Sequence, residues 1–284
     1  MTTYLVTGAS GHLGRLVLDH LATLVAPQDI LALVRSDTAA EACAAKGIAS
    51  RRADYDDPAA LRTALEGVDR LLLISSSEVG QRAAQHGNVI DAARAAGVDF
   101  IAYTSILHAD TGGMRLAEEH LATEAKLAES GIAFTLLRNG WYSDNITMTA
   151  AQDLETGQHF GAAGTGRFAT APRKDYAEAA AIVLAGGHDG EVLELAGDEA
   201  YTLADYAAIL SDAAGKPVAY TDLPEETFRQ ALVEAGVPGG FAAVLADSDA
   251  KAAQGALFDD SRTLSALIGH PTEPIAETVK RALA

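Results

Sequence analysis

Three glycines at three-residue spacing, Gly8, Gly11 and Gly14, separate the apolar run Tyr4-Leu5-Val6 from the series Leu13, Val17, Leu21, Leu24. The first run is short and continuous, as a buried strand is, whereas the second recurs at helical spacing. A chain that passes from strand to helix through such a turn has few folds open to it. Gly8 can take the tight turn, Gly11 has no side chain to obstruct an approaching diphosphate, and Gly14 lets the helix lie close on the sheet. Amide groups at a helix start have no intrahelical partner and carry the positive end of the dipole, so a diphosphate is their natural ligand. The turn therefore reads as a dinucleotide cradle made by Gly8, Ala9, Ser10, Gly11, His12 and Leu13. The glycines alone would also suit a plain turn between packed elements; the strand before them and the helix after them favour the cradle.

The spacing points to the short-chain dehydrogenase branch of Rossmann folds, an α/β class with helices on both faces of a parallel sheet. A length of 284 residues suits one such domain plus a small α+β lobe. We expect a dinucleotide-binding domain over 1–150 and a C-terminal lobe over 151–284, some of whose strands and helices return to the first domain. No apolar run approaches the ~20 residues of a membrane span, and the start lacks a basic, then apolar, leader. A cytoplasmic protein without membrane insertion is expected. The net charge of −18 disfavours nucleic acid and anionic lipid. Cys43, the single cysteine, reads as a packed thiol in an alanine-rich helix.

Further along, Ile30 to Val34 reads as a central strand that ends at Arg35. An arginine at that place accommodates a ribose 2′-phosphate, where NAD enzymes carry an acidic residue, so NADP(H) is favoured and nearby Asp37 leaves room for NADH. Asp54 either touches the adenine or satisfies its own loop, and Asp57-Pro58 opens the helix Ala59 to Leu65. The strand Val68 to Ile74 empties into Ser75, Ser76 and Ser77, which read as ribose and nicotinamide contacts or as a serine turn. A helix Val79 to Ala96 closes at Gly97. The strand Phe100 to Ser105 places Ser105 where short-chain dehydrogenases keep a catalytic serine, and His108 lies just beyond. Their Tyr-x-x-x-Lys pair is missing: the helix Leu116 to Ser130 carries His120 and Glu124 instead, a proton-shuttling pair or a solvated face. The strand Ala133 to Arg138 leads into Asn139, Gly140, Trp141, Tyr142, Ser143 and Asp144, where glycine among amide, aromatic and hydroxyl groups suits a flat ring.

In the second half, 157–166 reads as a glycine-rich loop, and Arg173-Lys174-Asp175 precedes a helix Tyr176 to Leu184. A strand Glu191 to Leu195, a helix capped by Thr202 and Asp205, a strand Val218 to Tyr220 and two or three further helices follow. Pro224-Glu225-Glu226 and Asp259-Asp260 read as helix starts.

Gly8 to Gly14, Arg35, the run Leu72-Leu73-Ile74-Ser75-Ser76-Ser77 on to Arg82, Tyr103-Thr104-Ser105, Leu136 to Ser143, Leu195 to Asp198 and Leu257 to Ser261 together resemble the NmrA-like atypical short-chain dehydrogenases, in particular their bacterial quinone reductases. The resemblance runs through nearly the whole chain. It implies NADP(H), held without flavin or metal by Gly8 to Leu13, Arg35, Ser75 to Ser77 and Asn139 to Asp144, and a quinone that takes hydride from the nicotinamide. A reduced quinone oxygen is acidic enough to be protonated by water or a modest donor, so no strong dedicated acid is needed. Tyr142, His108 and Ser105 are the candidate donors, and a monomer or homodimer is expected. The other reading is a non-catalytic sensor that binds NADP(H) and a protein partner, as some of these proteins do. Reduction of another carbonyl, or epimerisation, lacks a convincing tyrosine acid.

Overall fold

Alternation within the strands decides which helices cover which face. The computed structural model describes residues 2–284. Seven strands, β1 (Tyr4–Val6), β2 (Ile30–Val34), β3 (Ala49–Arg52), β4 (Arg70–Leu73), β5 (Phe100–Ile106), β6 (Ala133–Asn139) and, numbered in chain order, β8 (Val192–Leu195), form one sheet ordered β3-β2-β1-β4-β5-β6-β8. The ladders from β3 through β5 are parallel, with Leu5 opposite both Leu31 and Leu71, and Leu71 opposite Ile101. Side chains two apart share a face. Leu5, Leu33, Leu71, Leu73, Ile101 and Tyr103 accordingly pack into one cluster with Leu61, Leu65, Val89, Ile90 and Leu127. Those partners come from α3 (Pro58–Ala64) and the residue after it, α4 (Arg82–Ala96) and α5 (Ala117–Ser130). On the other face lie α1 (His12–Leu24) and α8 (Arg173–Ala185), which pack on each other. The buried Ala177, Ala179, Ala180 and Ala181 leave room for that approach. Arg70 stacks its guanidinium 3.8 Å from the Phe100 ring centre and donates to Leu184 O and Asp189. This is the Rossmann-type α/β arrangement expected from the glycine turn.

The chain divides into two units. The first comprises residues 2–106, 119–138 and 173–193, the second 107–118, 139–172 and 194–284. In the second, β7 (Gln158–Gly161) pairs in parallel with β9 (Ala219–Asp222). The same unit holds α6 (Ser143–Thr147), α7 (Ala150–Thr156), α9 (Leu203–Ala214), α10 (Glu225–Glu234), α11 (Gly239–Ala252), α12 (Thr263–Ile268) and α13 (Ile275–Leu283), of which α7 and α9 pack on these strands, while α2 (Asp37–Ala44) belongs to the first unit. Thr202 and Asp205 form a reciprocal capping box at the start of α9.

Several details differ from expectation. Leu24 is half exposed, and Leu18 is buried in its place. Helix α4 starts at Arg82 rather than Val79, because residues 77–81 turn first, with Gly80 at φ +91°. Four of the ten residues 157–166 form strand β7, and Arg173-Lys174-Asp175 is the first turn of α8 rather than a lead into it. Four helices, not two or three, follow β9. Asp259 starts no helix: it accepts from Ser261 N, and α12 begins at Thr263 behind a left-handed Arg262. Cys43 is buried and unpaired, and burial raises its thiol pKa.

Candidate cofactor site

The turn after β1 is built by close backbone approach. Gly8 has φ +57°, a conformation that favours glycine, and its carbonyl accepts from Gly11 N at 2.9 Å. A Cβ at Gly14 would stand 2.3 Å from Gly8 O, and one at Gly11 would stand 3.1 Å from the same oxygen. Gly14 is therefore fixed by helix-to-turn packing. Gly11 is the N-cap of α1 and supplies no side-chain cap, so the first amides of the helix are left to a ligand. Gly8, Ser10, Gly11 and His12 are exposed, whereas Ala9 and Leu13 point into the core.

Arg35 follows the last residue of β2. Its side chain is 68% exposed, and Nη1 lies 3.5 Å from Asp54 and 3.6 Å from Glu78. Asp54 satisfies its own loop, Oδ1 accepting from Asp56 N, and its Oδ2 faces Arg35. Arg52 pairs with Asp37 at 2.6 Å, so the acidic residue near the strand end is already engaged by a cation.

The serine turn beyond β4 is held from several sides. Ser75 N donates to Thr104 Oγ1 at 2.8 Å, Ser76 N to His86 Nε2 at 2.9 Å, and Arg82 Nε donates to Ser76 O at 2.8 Å. Ser76 Oγ accepts from Glu78 N, and Ser77 is exposed. The sequence assigns no role of their own to His86, Arg82, Thr104 and Tyr55. For Arg82 and His86, polar residues spaced i, i+4 on an alanine-rich helix are the available signal.

Around the end of β5 the helix face that sequence left open proves buried. His120 and Glu124 are 4% and 8% exposed, and each bonds to a residue of a neighbouring strand. His120 Nδ1 lies 2.7 Å from Tyr103 Oη, and burial drives its pKa well below the ordinary value. Glu124 takes a two-pronged contact from Arg138, Nε at 3.1 Å and Nη2 at 2.7 Å, and also accepts from Ser105 Oγ at 2.5 Å. The solvated-face reading is thus corrected, and the hydroxyl of Ser105 is committed to a carboxylate.

In the second unit, Leu107 N donates to Asn139 O and Gly140 N to Leu195 O, fixing the start of the loop 139–144. Asn139 is buried; Nδ2 donates to Tyr142 Oη at 3.2 Å, while Oδ1 has no partner among the described residues. Trp141, Tyr142 and Asp144 are partly exposed. Ser143 is fully buried, and its hydroxyl shares a bond with Thr170 at 2.7 Å. His108 has φ +51°, donates through its amide to Glu194, and places Nε2 3.5 Å from Asp259. No group of metal-ligating side chains occurs among the described residues.

A model of the NmrA-like family matches residues 2–269. The chain belongs to the NmrA-like family. Among the family's relatives, it is 58% identical to quinone oxidoreductase 2 of Escherichia coli strain K12, over 96% of each chain. A crystal structure of the NADPH-dependent quinone oxidoreductase of Escherichia coli complexed with NADPH superposes with a TM-score of 0.97, at 56% identity over 99% of this chain and all of that one. The triphenylmethane reductase of a Citrobacter species, complexed with NADP(H), gives a TM-score of 0.93 at 37% identity, again over 99% of this chain and all of the other. These NmrA-like relatives are oxidoreductases.

Proposed function

We propose that this NmrA-like chain is an NADPH-dependent quinone reductase, acting in the cytoplasm as a monomer or homodimer. Identity of 58% along 96% of both chains to quinone oxidoreductase 2 is the observation that carries this reading. The residues fit a dinucleotide: the helix start behind Gly11 has no side-chain cap, and Asn139 Oδ1 is a buried acceptor with no donor among the described residues. When bound, the nicotinamide supplies hydride to the quinone ring.

The chain's own residues bind, orient and exclude water. Gly8 to Leu13 receive the diphosphate, Arg35 the 2′-phosphate, Ser75 to Ser77 and Asn139 to Asp144 the ribose and nicotinamide edges. Ser143 acts from within the core as the anchor of its loop, through Thr170. Ser105 does not serve as donor in this reading, because its proton is given to Glu124. Tyr142, which accepts from Asn139, and His108, beside Asp259, are the remaining side-chain donors, with water sufficient for an acidic hydroquinone.

Loss of NADPH absorbance, followed with purified protein and a panel of benzoquinones and naphthoquinones, tests the proposal. Quinone-dependent oxidation, faster with NADPH than with NADH, is expected. Tight binding of NADP(H) with no turnover across the panel would overturn it and leave a sensor.

A further inference from the structure

The ladder on β4 stops at Leu73, opposite Tyr103, yet the next three residues are not loose. Ile74 N donates to Thr7 Oγ1 at 2.9 Å, and Ile74 O accepts from Tyr55 Oη at 2.9 Å. Ser75 N goes to Thr104, and both backbone groups of Ser76 go to side chains one turn apart on α4: the N–H to His86 and the carbonyl to Arg82. Side chains have replaced the strand partner residue by residue.

His86 is the most constrained of these. It is fully buried, and its ring sits edge-on to Tyr55 and Tyr103 with centroids 6.1 and 5.4 Å away. A backbone N–H can only donate, so Nε2 must be bare. Nδ1 then carries the proton and gives it to Thr123 Oγ1 at 2.9 Å, whose own hydroxyl goes to Glu119 O. Every hydrogen in the chain has one direction. Burial, and then the charge of Arg82, hold the pKa of His86 down to about 3, so the arrangement survives across the working range of pH.

We propose that His86, with Arg82, is a positioning residue for the cofactor: the two side chains lock the Ser76 peptide so that Ser75 to Ser77 present a preformed surface to the dinucleotide. The inference rests on the reading that this turn touches the cofactor. Preformed contacts spare the ligand the cost of ordering the loop. Glu78 follows directly, bonded through its N–H to Ser76 Oγ and 3.6 Å from Arg35, so the lock bears on the contacts both cofactors share and, for NADPH, on the 2′-phosphate site as well.

One spectrum and three variants test it. Nitrogen NMR of the wild-type imidazole should show one neutral tautomer with Nδ1 protonated, and this holds whatever the variants do; an Nε2–H tautomer would refute the lock. His86→Leu should weaken both NADPH and NADH, by about tenfold, because the ligand would then have to order the released turn. His86→Gln, whose amide can both accept and donate, should recover most of that loss. A folded His86→Leu protein that binds both cofactors normally would overturn the proposal. Ser77→Trp separates the two layers of argument: it should abolish cofactor binding. If binding survives the tryptophan, the turn is no cofactor contact and the underlying reading fails. If the tryptophan blocks binding while His86→Leu is silent, the turn is a contact but His86 does not position it.

Discussion

Arg35 and Arg138 both face carboxylates in the first unit, but in different solvents. Arg35 is 68% exposed and stands 3.5 to 3.6 Å from two half-exposed acids; Arg138 and Glu124 are 8% and 9% exposed and meet at 2.7 Å with a second prong. In water an ion pair at such distances is worth little, because solvent competes with both partners. In the core the same charges have already lost their hydration and have no substitute for each other. An arginine of the first kind can exchange partners for an arriving phosphate. One of the second kind can only hold structure.

The largest effect follows from breaking the buried member. Arg138→Met leaves Glu124 buried with its two guanidinium bonds gone and Ser105 still donating to it, and should cost about 3–5 kcal/mol of folding stability. Urea unfolding reads this directly, and a loss below about 1 kcal/mol would mean that the buried pair is dispensable. At the exposed member the expected loss is of binding rather than folding. Arg35→Ala should unfold at nearly the wild-type urea concentration, yet give up about 1.5–3 kcal/mol of NADPH affinity, while NADH binding stays unchanged. Titration with both cofactors decides it: equal losses would remove Arg35 from the 2′-phosphate site.

The same contrast explains what could be read from sequence. The cradle was legible because each glycine answers a local demand: Gly8 its positive φ, Gly14 the 2.3 Å that a Cβ would leave to Gly8 O. Helix α4's end at Gly97 and α9's capping box were legible for the same reason, being set within a few residues. Residues whose meaning depends on distant partners were not. His120 and Glu124 share a helix face, but whether that face meets water or Tyr103 and Arg138 is decided by strands far off in the chain. His86 drew no notice, because its partners are a backbone N–H ten residues earlier and a threonine on another helix. Asp259, read as a helix start, instead faces His108 across the fold of the second unit.

The smallest effect sharpens the comparison most. If Arg35 is held for exchange, its acids oppose the incoming phosphate as well as occupying the guanidinium. Glu78→Gln removes one such charge at 3.6 Å and keeps an oxygen to accept from Gln85 Nε2, now 3.0 Å from Glu78. NADPH should then bind more tightly by about 0.2–1 kcal/mol, the size of an exposed pair, with NADH affected less. The gain should shrink as salt is raised and the charges are screened. Weaker NADPH binding in this variant would reverse the sign of the argument, because Glu78 would then be orienting Arg35 for the phosphate rather than competing with it. Arg35 would resemble Arg138 after all, as a side chain whose carboxylate partners set its geometry.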